Sequence, residues 1–308
     1  MKAFAVTARD ASPALQDVPQ PQPGAGEVLV AVAAASVNGF DLSVAAGYVW
    51  DMLPHEFPVV LGRDFVGTVE AVGDGVQQIA TGDRVAGVIP GVALGAGAFG
   101  EYVVVPATAV TAVPAGVDVQ DAAGVGLAGV AAHDALDALA LRPGEVVLIS
   151  GATGGVGSIA VQRAVAVEAT VIATARPGAE EDYVRRLGAT HAVDYTSDLP
   201  AAVRAVAPNG VDKALHFAGD PAAIGTVVRP GGAVASTMGI TTEQLGRDDV
   251  TVNAIMAAAT ADKLAHLLDD VATGKLRVNI EATVPLERAH EAFKVFADGT
   301  LGKVLITQ

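Results

Sequence analysis

The sequence predicts an α/β protein of two domains, one a β-barrel-like domain and the other a doubly wound parallel sheet. Three observations predict it. Residues 1–117 read as short strands separated by Pro- and Gly-rich turns. From about Asp121 the period changes to apolar strands alternating with helical stretches, the pattern of βαβ units. One strand of that second part runs into a glycine turn that opens a helix, Gly151–Gly155. The length of 308 residues suits two domains at about 100–200 residues each.

In the first part the strands read Lys2–Thr7, Glu27–Ala35, Phe65–Val72, Asp83–Val88 and Tyr102–Pro106, divided by clusters such as VPQPQPGAGE (18–27) and GDGVQQIATGD (73–83). The second part reads as a helix over Asp121–Leu139, a strand over Glu145–Ser150, a helix over Val156–Val167 and a strand over Thr170–Ala175. A helix near Glu180–Leu187, a strand over His191–Asp194, a helix over Pro200–Val206 and a strand over Val211–Phe217 follow. Next come a helix over Pro221–Val228 and strands over Ala233–Thr237 and Thr251–Ile255. After about Ala258 two amphipathic helices, Ala261–Ala272 and Leu286–Phe296, precede a final strand, Lys303–Thr307. No internal repeat stands out.

The segment GEVVLISGATGGVGSIAVQ (144–162) carries the most chemistry. A dinucleotide-binding turn needs a small residue at the tight bend and a glycine where the backbone meets the pyrophosphate. It needs another where helix and strand pack closely. Ala152, Gly154 and Gly157 fit those roles as A-x-G-x-x-G, and Thr153, Gly155 and Val156 complete the turn. The helix then offers its free N–H groups to phosphate. An NAD-specific site places Asp or Glu at the end of the following strand. Here TVIATA (170–175) ends without one; Thr174 lies near its close, Arg176 comes next, and the first acid beyond is Glu180. A guanidinium in place of a carboxylate suits a 2′-phosphate and so NADPH, the other reading of Arg176 being a solvated loop charge. Tyr195 reads either as an adenosine-side contact or as a loop aromatic. FAGD (217–220) and TMG (237–239) end strands at the carboxyl edge of the sheet, where ligands bind in doubly wound folds, so Ala218, Met238 and Gly239 join the candidates.

Composition excludes much else. Nineteen basic against 34 acidic residues give a formal charge of −15, which argues against a nucleic-acid partner. There is no cysteine, which removes disulfides, Cys-built zinc sites, iron–sulfur clusters and thiol nucleophiles. The six histidines show no paired ligand spacing and read as surface or packed side chains. MKAFAVTARD lacks the apolar run of a signal peptide. The uncharged stretch Val85–Gly100 contains Pro90 and is too short to span a bilayer. The expectation is a cytoplasmic protein with no membrane partner. No GxSxG elbow, P-loop or EF-hand loop is present.

Along nearly its whole length the sequence resembles the medium-chain dehydrogenase/reductase superfamily, and within it the zinc-free, zeta-crystallin-like quinone oxidoreductases. The resemblance lies in Pro21–Val30, SVNGFD (36–41), FPVVLGRDFVGTVEAVG (57–73), GDRVAG (82–87), FGEYVVVPA (99–107), LRPGEVVLISGATGGVGSIAVQ (141–162) and GKVLIT (302–307). It implies a GroES-like β-barrel catalytic domain built from both chain ends, residues 1–118 and 258–308, with a Rossmann NADPH-binding domain, 119–257, inserted between them. Zinc relatives place Cys where this chain has Asn38 and a His-Glu pair where it has Arg63-Asp64, so neither zinc site of those relatives is expected. The resemblance places Asn38 beside the nicotinamide, with Asp41 and Asp64 supporting the site, their other reading being structural polar residues. Tyr48 stands where many relatives carry a tyrosine near substrate, as proton donor or as pocket lining. Trp50, Met52 and Phe57 read as pocket walls or core. Where relatives often carry Thr in an LTA-like triplet this chain has Val130-Ala131-Ala132, so that hydroxyl contact is expected to be absent.

Hydride transfer without a Lewis acid suits a small-molecule acceptor that needs little activation, a quinone or an α,β-unsaturated carbonyl. Two other classes stay open: reduction of an enoyl thioester or a biosynthetic intermediate, and a non-catalytic NADPH-binding sensor. The resemblance also implies a homodimer joined along the sheet edge at Thr251–Ile255.

Overall fold

Runs of Val, Ala and Leu broken every few residues by Gly or Pro favour short strands over helices, and they open the chain as such. The computed structural model describes all 308 residues. In chain order the first elements are β1 (Lys2–Val6), β2 (Ala14–Asp17), β3 (Glu27–Ser36), α1 (Gly39–Ala45), β4 (Val59–Val60), β5 (Asp64–Val72), β6 (Arg84–Val88), β7 (Tyr102–Pro106), β8 (Val110–Ala112) and α2 (Val119–Leu139). Alternation of strand and helix follows: β9 (Val146–Ser150), α3 (Gly155–Ala166), β10 (Thr170–Thr174), α4 (Ala179–Arg186), β11 (His191–Val193) and α5 (Leu199–Val206). After these come β12 (Val211–His216), α6 (Pro221–Gly225), β13 (Val228–Ser236), α7 (Thr242–Leu245) and β14 (Thr251–Ala254). The chain ends with α8 (Ala261–Ala272), β15 (Ile280–Pro285), α9 (Ala289–Ala297) and β16 (Lys303–Thr307). Two units result, Met1–Leu127 with Ala259–Gln308, and Ala128–Ala258. No helix is long and apolar enough to cross a membrane.

In the first unit the ten-residue β3 organises a seven-stranded sheet. One edge pairs with β5; on the other, the first half pairs with β7 and the last three residues with β16, the chain's final strand. The core beneath is aliphatic with a few rings, Phe65 and Phe99 being fully buried. The second unit is a six-stranded, wholly parallel sheet in the order β11-β10-β9-β12-β13-β14. Val147, Leu148, Ile149, Val171, Ile172, Leu215 and Val234 have no exposed surface, as expected of strands covered on both faces. The strand order reverses between β9 and β12, and at such a switch point the carboxyl ends of the strands leave a crevice.

Beyond β2, β4, β8, α7 and β15, which the sequence reading did not mark, the structure departs from it in three places. Residues 39–45, read within an all-β stretch, form helix α1; a helix of seven residues is too short to establish a period, and a tertiary cap holds it instead. Residues 228–232, read as the last residue of a helix and the gap before a strand, lengthen β13. The unit boundary falls after Leu127 rather than Asp118. There Gly126 breaks the helical path of α2 (φ −44°, ψ −105°), and the residues before the break belong to the first unit.

Candidate active site

Two registers assemble the polar centre of the first unit. Ala35 pairs with Phe65, so the next residues, Ser36 and Asp64, face each other. Leu305 pairs with Ser36, so two residues further the antiparallel register sets Lys303 against Asn38. Asp64 is fully buried and its carboxylate collects four donors. These are Ser36 Oγ at 2.8 Å, Ser36 N–H at 3.3 Å, Asn38 Nδ2 at 3.2 Å and Leu127 N–H at 2.7 Å, the last freed by the break at Gly126. Asn38 precedes α1 but does not spend its side chain on capping. Its amide nitrogen donates to Ser36 C=O (3.0 Å) and Asp64, and its Oδ1 accepts from Lys303 Nζ (2.7 Å). That donor and acceptor pattern fixes which way the amide points. Lys303 also donates to Val37 C=O (2.9 Å), and burial draws its ammonium below the usual lysine value, Asp64 and Asp41 opposing the shift.

Asp41 caps α1 from inside, Oδ2 accepting Asn38 N–H (2.8 Å) and Oδ1 accepting Gly62 N–H (3.2 Å). Burial pushes its carboxyl up to about 7 and the nearby Asp64 charge adds to this, against the two backbone donors and Lys303. A folded-state value above the unfolded one (about 3.9) means that the native state holds the proton more tightly. Its contribution to stability is therefore complete below about pH 4 and lost as pH rises through about 7, up to roughly 4 kcal/mol by linkage. Asp41→Asn should flatten this part of the profile. Urea midpoints from pH 5 to 8 that fall equally in both proteins would refute the assignment.

Arg63 lies alongside. Its Nη2 donates to the carbonyls of Ile89 (2.8 Å) and Gly91, its guanidinium stands 5.5 Å from the Phe40 ring centroid, and its buried Nη1 has no partner. It lines a cavity of about 10 Å³ with Phe40, Asp41, Gly62 and Leu94, far too small for a substrate ring. No group of three His, Asp or Glu side chains is arranged to hold a metal ion. Tyr48 stands apart from this network: it is 77% exposed.

In the second unit the turn after β9 sits at the switch point. Gly151 N–H donates to Thr174 Oγ1 (3.0 Å), which ties the turn to the end of β10. A Cβ on Gly157 would meet Gly151 O at 2.1 Å, whereas one on Gly154 would meet nothing closer than 3.7 Å. Gly157 therefore permits helix and strand to touch, while Gly154 leaves open space at the start of α3. That cradle, with its unpaired helix N–H groups, fits the pyrophosphate of a dinucleotide. Ala152 is buried; Thr153, Gly155 and Val156 are partly exposed along the turn. Ala218, Met238 and Gly239 are exposed in the loops after β12 and β13, the edge at which the sequence reading placed them.

Those loops are held by three side chains that sequence reasoning did not single out. Ser150 Oγ donates to Ala218 C=O, buried His216 links Ser236 Oγ (2.9 Å) to Gly219 C=O (3.1 Å), and Ser236 Oγ accepts Met238 N–H (3.0 Å). At the end of β10, Arg176 and Tyr195 both reach Glu180.

Residues 24–115 match the alcohol dehydrogenase GroES-like domain, and 187–306 match the zinc-binding dehydrogenase family. The chain is 30% identical to a chloroplastic quinone-oxidoreductase of Triphysaria versicolor, over 94% of this chain and 92% of that one. The chain belongs to the medium-chain dehydrogenase/reductase superfamily. It is also 31% identical, over 95% of its length, to a segment making up 14% of a phenolphthiocerol/phthiocerol polyketide synthase chain of Mycobacterium tuberculosis. Among solved structures, an NAD-dependent alcohol dehydrogenase and mycobacterial Rv1454c complexed with NADPH each superpose with TM-score 0.88 at 28% identity, over all of both chains. As a medium-chain dehydrogenase/reductase it is an oxidoreductase that uses a nicotinamide cofactor on small molecules.

This member departs from the zinc-binding pattern at the ligand positions themselves. Arg63, where zinc relatives carry His, is committed to two main-chain carbonyls, and Asn38, where they carry Cys, is committed to Lys303 and Asp64. The sequence reading did not find Lys303 or Ser36. The only signal for Lys303 was a cation opening an otherwise apolar terminal strand.

Proposed function

We propose that this chain reduces a quinone or an α,β-unsaturated carbonyl with hydride from NADPH. The observation that carries the reading is the side-chain set at the positions where zinc relatives carry ligands: Asn38 bonded to Asp64 and to Lys303, and Arg63 bonded to main-chain carbonyls, with no Cys or His among them. Such a set offers hydrogen bonds and positive charge rather than a Lewis acid, so the acceptor must be electrophilic by itself. Kinship with quinone oxidoreductases supports the same acceptor class.

The bound cofactor would supply the hydride, held by Ala152, Thr153, Gly154, Gly155, Val156 and Gly157. Thr174 would brace the turn, and Arg176 would receive the 2′-phosphate. Tyr195, Ala218, Met238 and Gly239 line the same edge as candidate contacts. In the first unit Lys303 holds the Asn38 amide in one orientation, and Asp64 and Asp41 hold the Asn38 side chain and backbone. The proton that completes the reduced product comes from water or from Tyr48, whose side chain is exposed. A homodimer is part of this reading, since β14 ends the parallel sheet and leaves one edge unpaired.

A second reading, reduction of an enoyl thioester, draws on the similarity to a polyketide synthase. The experiment supplies purified protein with NADPH or NADH and, in turn, a 1,4-quinone, a simple enone and a crotonyl thioester. NADPH oxidation with the quinone or enone is the expected result. Turnover confined to the thioester would favour the second reading, and tight cofactor binding without turnover of any acceptor would leave a sensor.

A further inference from the structure

The cation assigned to the 2′-phosphate already has a partner. Glu180 Oε1 accepts Arg176 Nε at 2.7 Å and is also ion-paired with Nη2, while Oε2 accepts the Arg176 main-chain N–H at 2.7 Å. Tyr195 OH adds a longer contact of 3.4 Å to the same Oε1. The carboxylate is the sheltered member of the pair, its side chain 12% exposed against 57% for the arginine. Local geometry causes this. Gly178 adopts φ 95° between the end of β10 and the start of α4, which folds the chain back so that the first turn of α4 lies over residue 176. Glu181 N–H, bonded to Arg176 C=O at 3.1 Å, clamps the fold-back.

A carboxylate at the end of the second strand is the group that accepts a ribose 2′-OH, and a free guanidinium is the group that receives a 2′-phosphate. This chain presents both, bonded to each other. We propose that Glu180 is the residue that sets cofactor choice, competing with the 2′-phosphate for Arg176 and offering its own oxygens to the 2′-OH of NADH. The inference rests on the reading of Arg176 as the 2′-phosphate residue. NADPH binding then has to break the Arg176–Glu180 pair and set a phosphate near a carboxylate, whereas NADH binding leaves the pair intact. The consequence is a narrowed preference between the two cofactors, imposed by one acid four residues after the arginine.

The test is equilibrium titration of the full chain with NADPH and with NADH, followed by nicotinamide fluorescence, in the wild type, Glu180→Gln, Arg176→Ala and the double variant. Glu180→Gln keeps the shape of the side chain and removes one charge. It should tighten NADPH at least about fivefold, the size expected for one charge about 4 Å from another in fully hydrated surroundings, and leave NADH unchanged or weaker. Arg176→Ala should weaken NADPH selectively, and in the double variant the gain from Glu180→Gln should vanish. If Arg176→Ala is selective but Glu180→Gln leaves NADPH affinity unchanged or lower, the inference is overturned while the reading of Arg176 stands. If Arg176→Ala weakens both cofactors equally, that reading fails and the inference fails with it. Glu180→Ala, read with far-UV circular dichroism, serves the same comparison if the glutamine variant folds poorly.

Discussion

Asp64→Ala is expected to lower the unfolding free energy by about 3–5 kcal/mol, the cost of breaking a buried charged network by removing one partner. Four donors lose their acceptor at once: the Ser36 hydroxyl and N–H, the Asn38 amide and the Leu127 N–H. Each buried donor left unpaired costs about 1–3 kcal/mol, relaxation recovering part of the sum. Lys303 is fully buried nearby and loses one of the two carboxylates that oppose its loss of charge. With a total stability of about 5–15 kcal/mol, this one substitution consumes a large share. Urea unfolding followed by circular dichroism measures it directly. A loss under about 1 kcal/mol would show that Asp64 is not the anchor of the network. Asp64→Asn keeps one acceptor oxygen and should fall between.

The second large effect separates two glycines that sequence alone treats as one motif. In Gly157→Ala the new methyl would lie 2.1 Å from Gly151 O, 2.7 Å from Ala152 Cα and 2.8 Å from Gly151 C, all main-chain atoms that cannot rotate away. The start of α3 must move off β9, at a cost of about 1–3 kcal/mol for overpacking, and its N–H groups move with it. Both the melting temperature and cofactor affinity should drop. In Gly154→Ala the backbone is already in an ordinary extended conformation (φ −72°, ψ 177°) and the nearest atom is 3.7 Å away. That variant should melt within about a degree of the wild type yet bind NADPH at least tenfold more weakly, because its methyl occupies the approach to the helix N–H groups. If Gly154→Ala binds as well as the wild type, the pyrophosphate does not cross the turn there.

The two variants also mark how far the sequence could be read. The β9–turn–α3 unit is legible because its sequence signal is local: a β-branched strand, small residues at the bend, then a helix. The alternating strands and helices of 128–258 are legible for the same reason, and the register of a parallel sheet buried on both faces adds little that a hydrophobic run does not announce. Helix α1 was not legible. Its local cap, Asn38 N–H to Asp41 Oδ2, lies within SVNGFD, but the same carboxylate's bond to Gly62 N–H is tertiary, and a seven-residue helix shows no period to announce it. Tyr48 shows the converse. Resemblance made it a catalytic candidate; its exposure is decided by what packs over it, and nothing in AAGYVWDML specifies that.

The amino-acid sequence by itself determined the two-part architecture, the dinucleotide turn and the lack of cysteine ligands. These follow from local periodicity, backbone sterics and composition, which need no long-range information. Tertiary structure alone decided that Lys303 would hold Asn38 across 265 residues of chain, because strand register is a cooperative property of the whole sheet. It alone decided that Arg176 would be engaged before any cofactor arrives. The arginine and the glutamate lie only four residues apart, but they meet through a glycine turn rather than along a helix, and the conformation of that turn sets the distance between their charges.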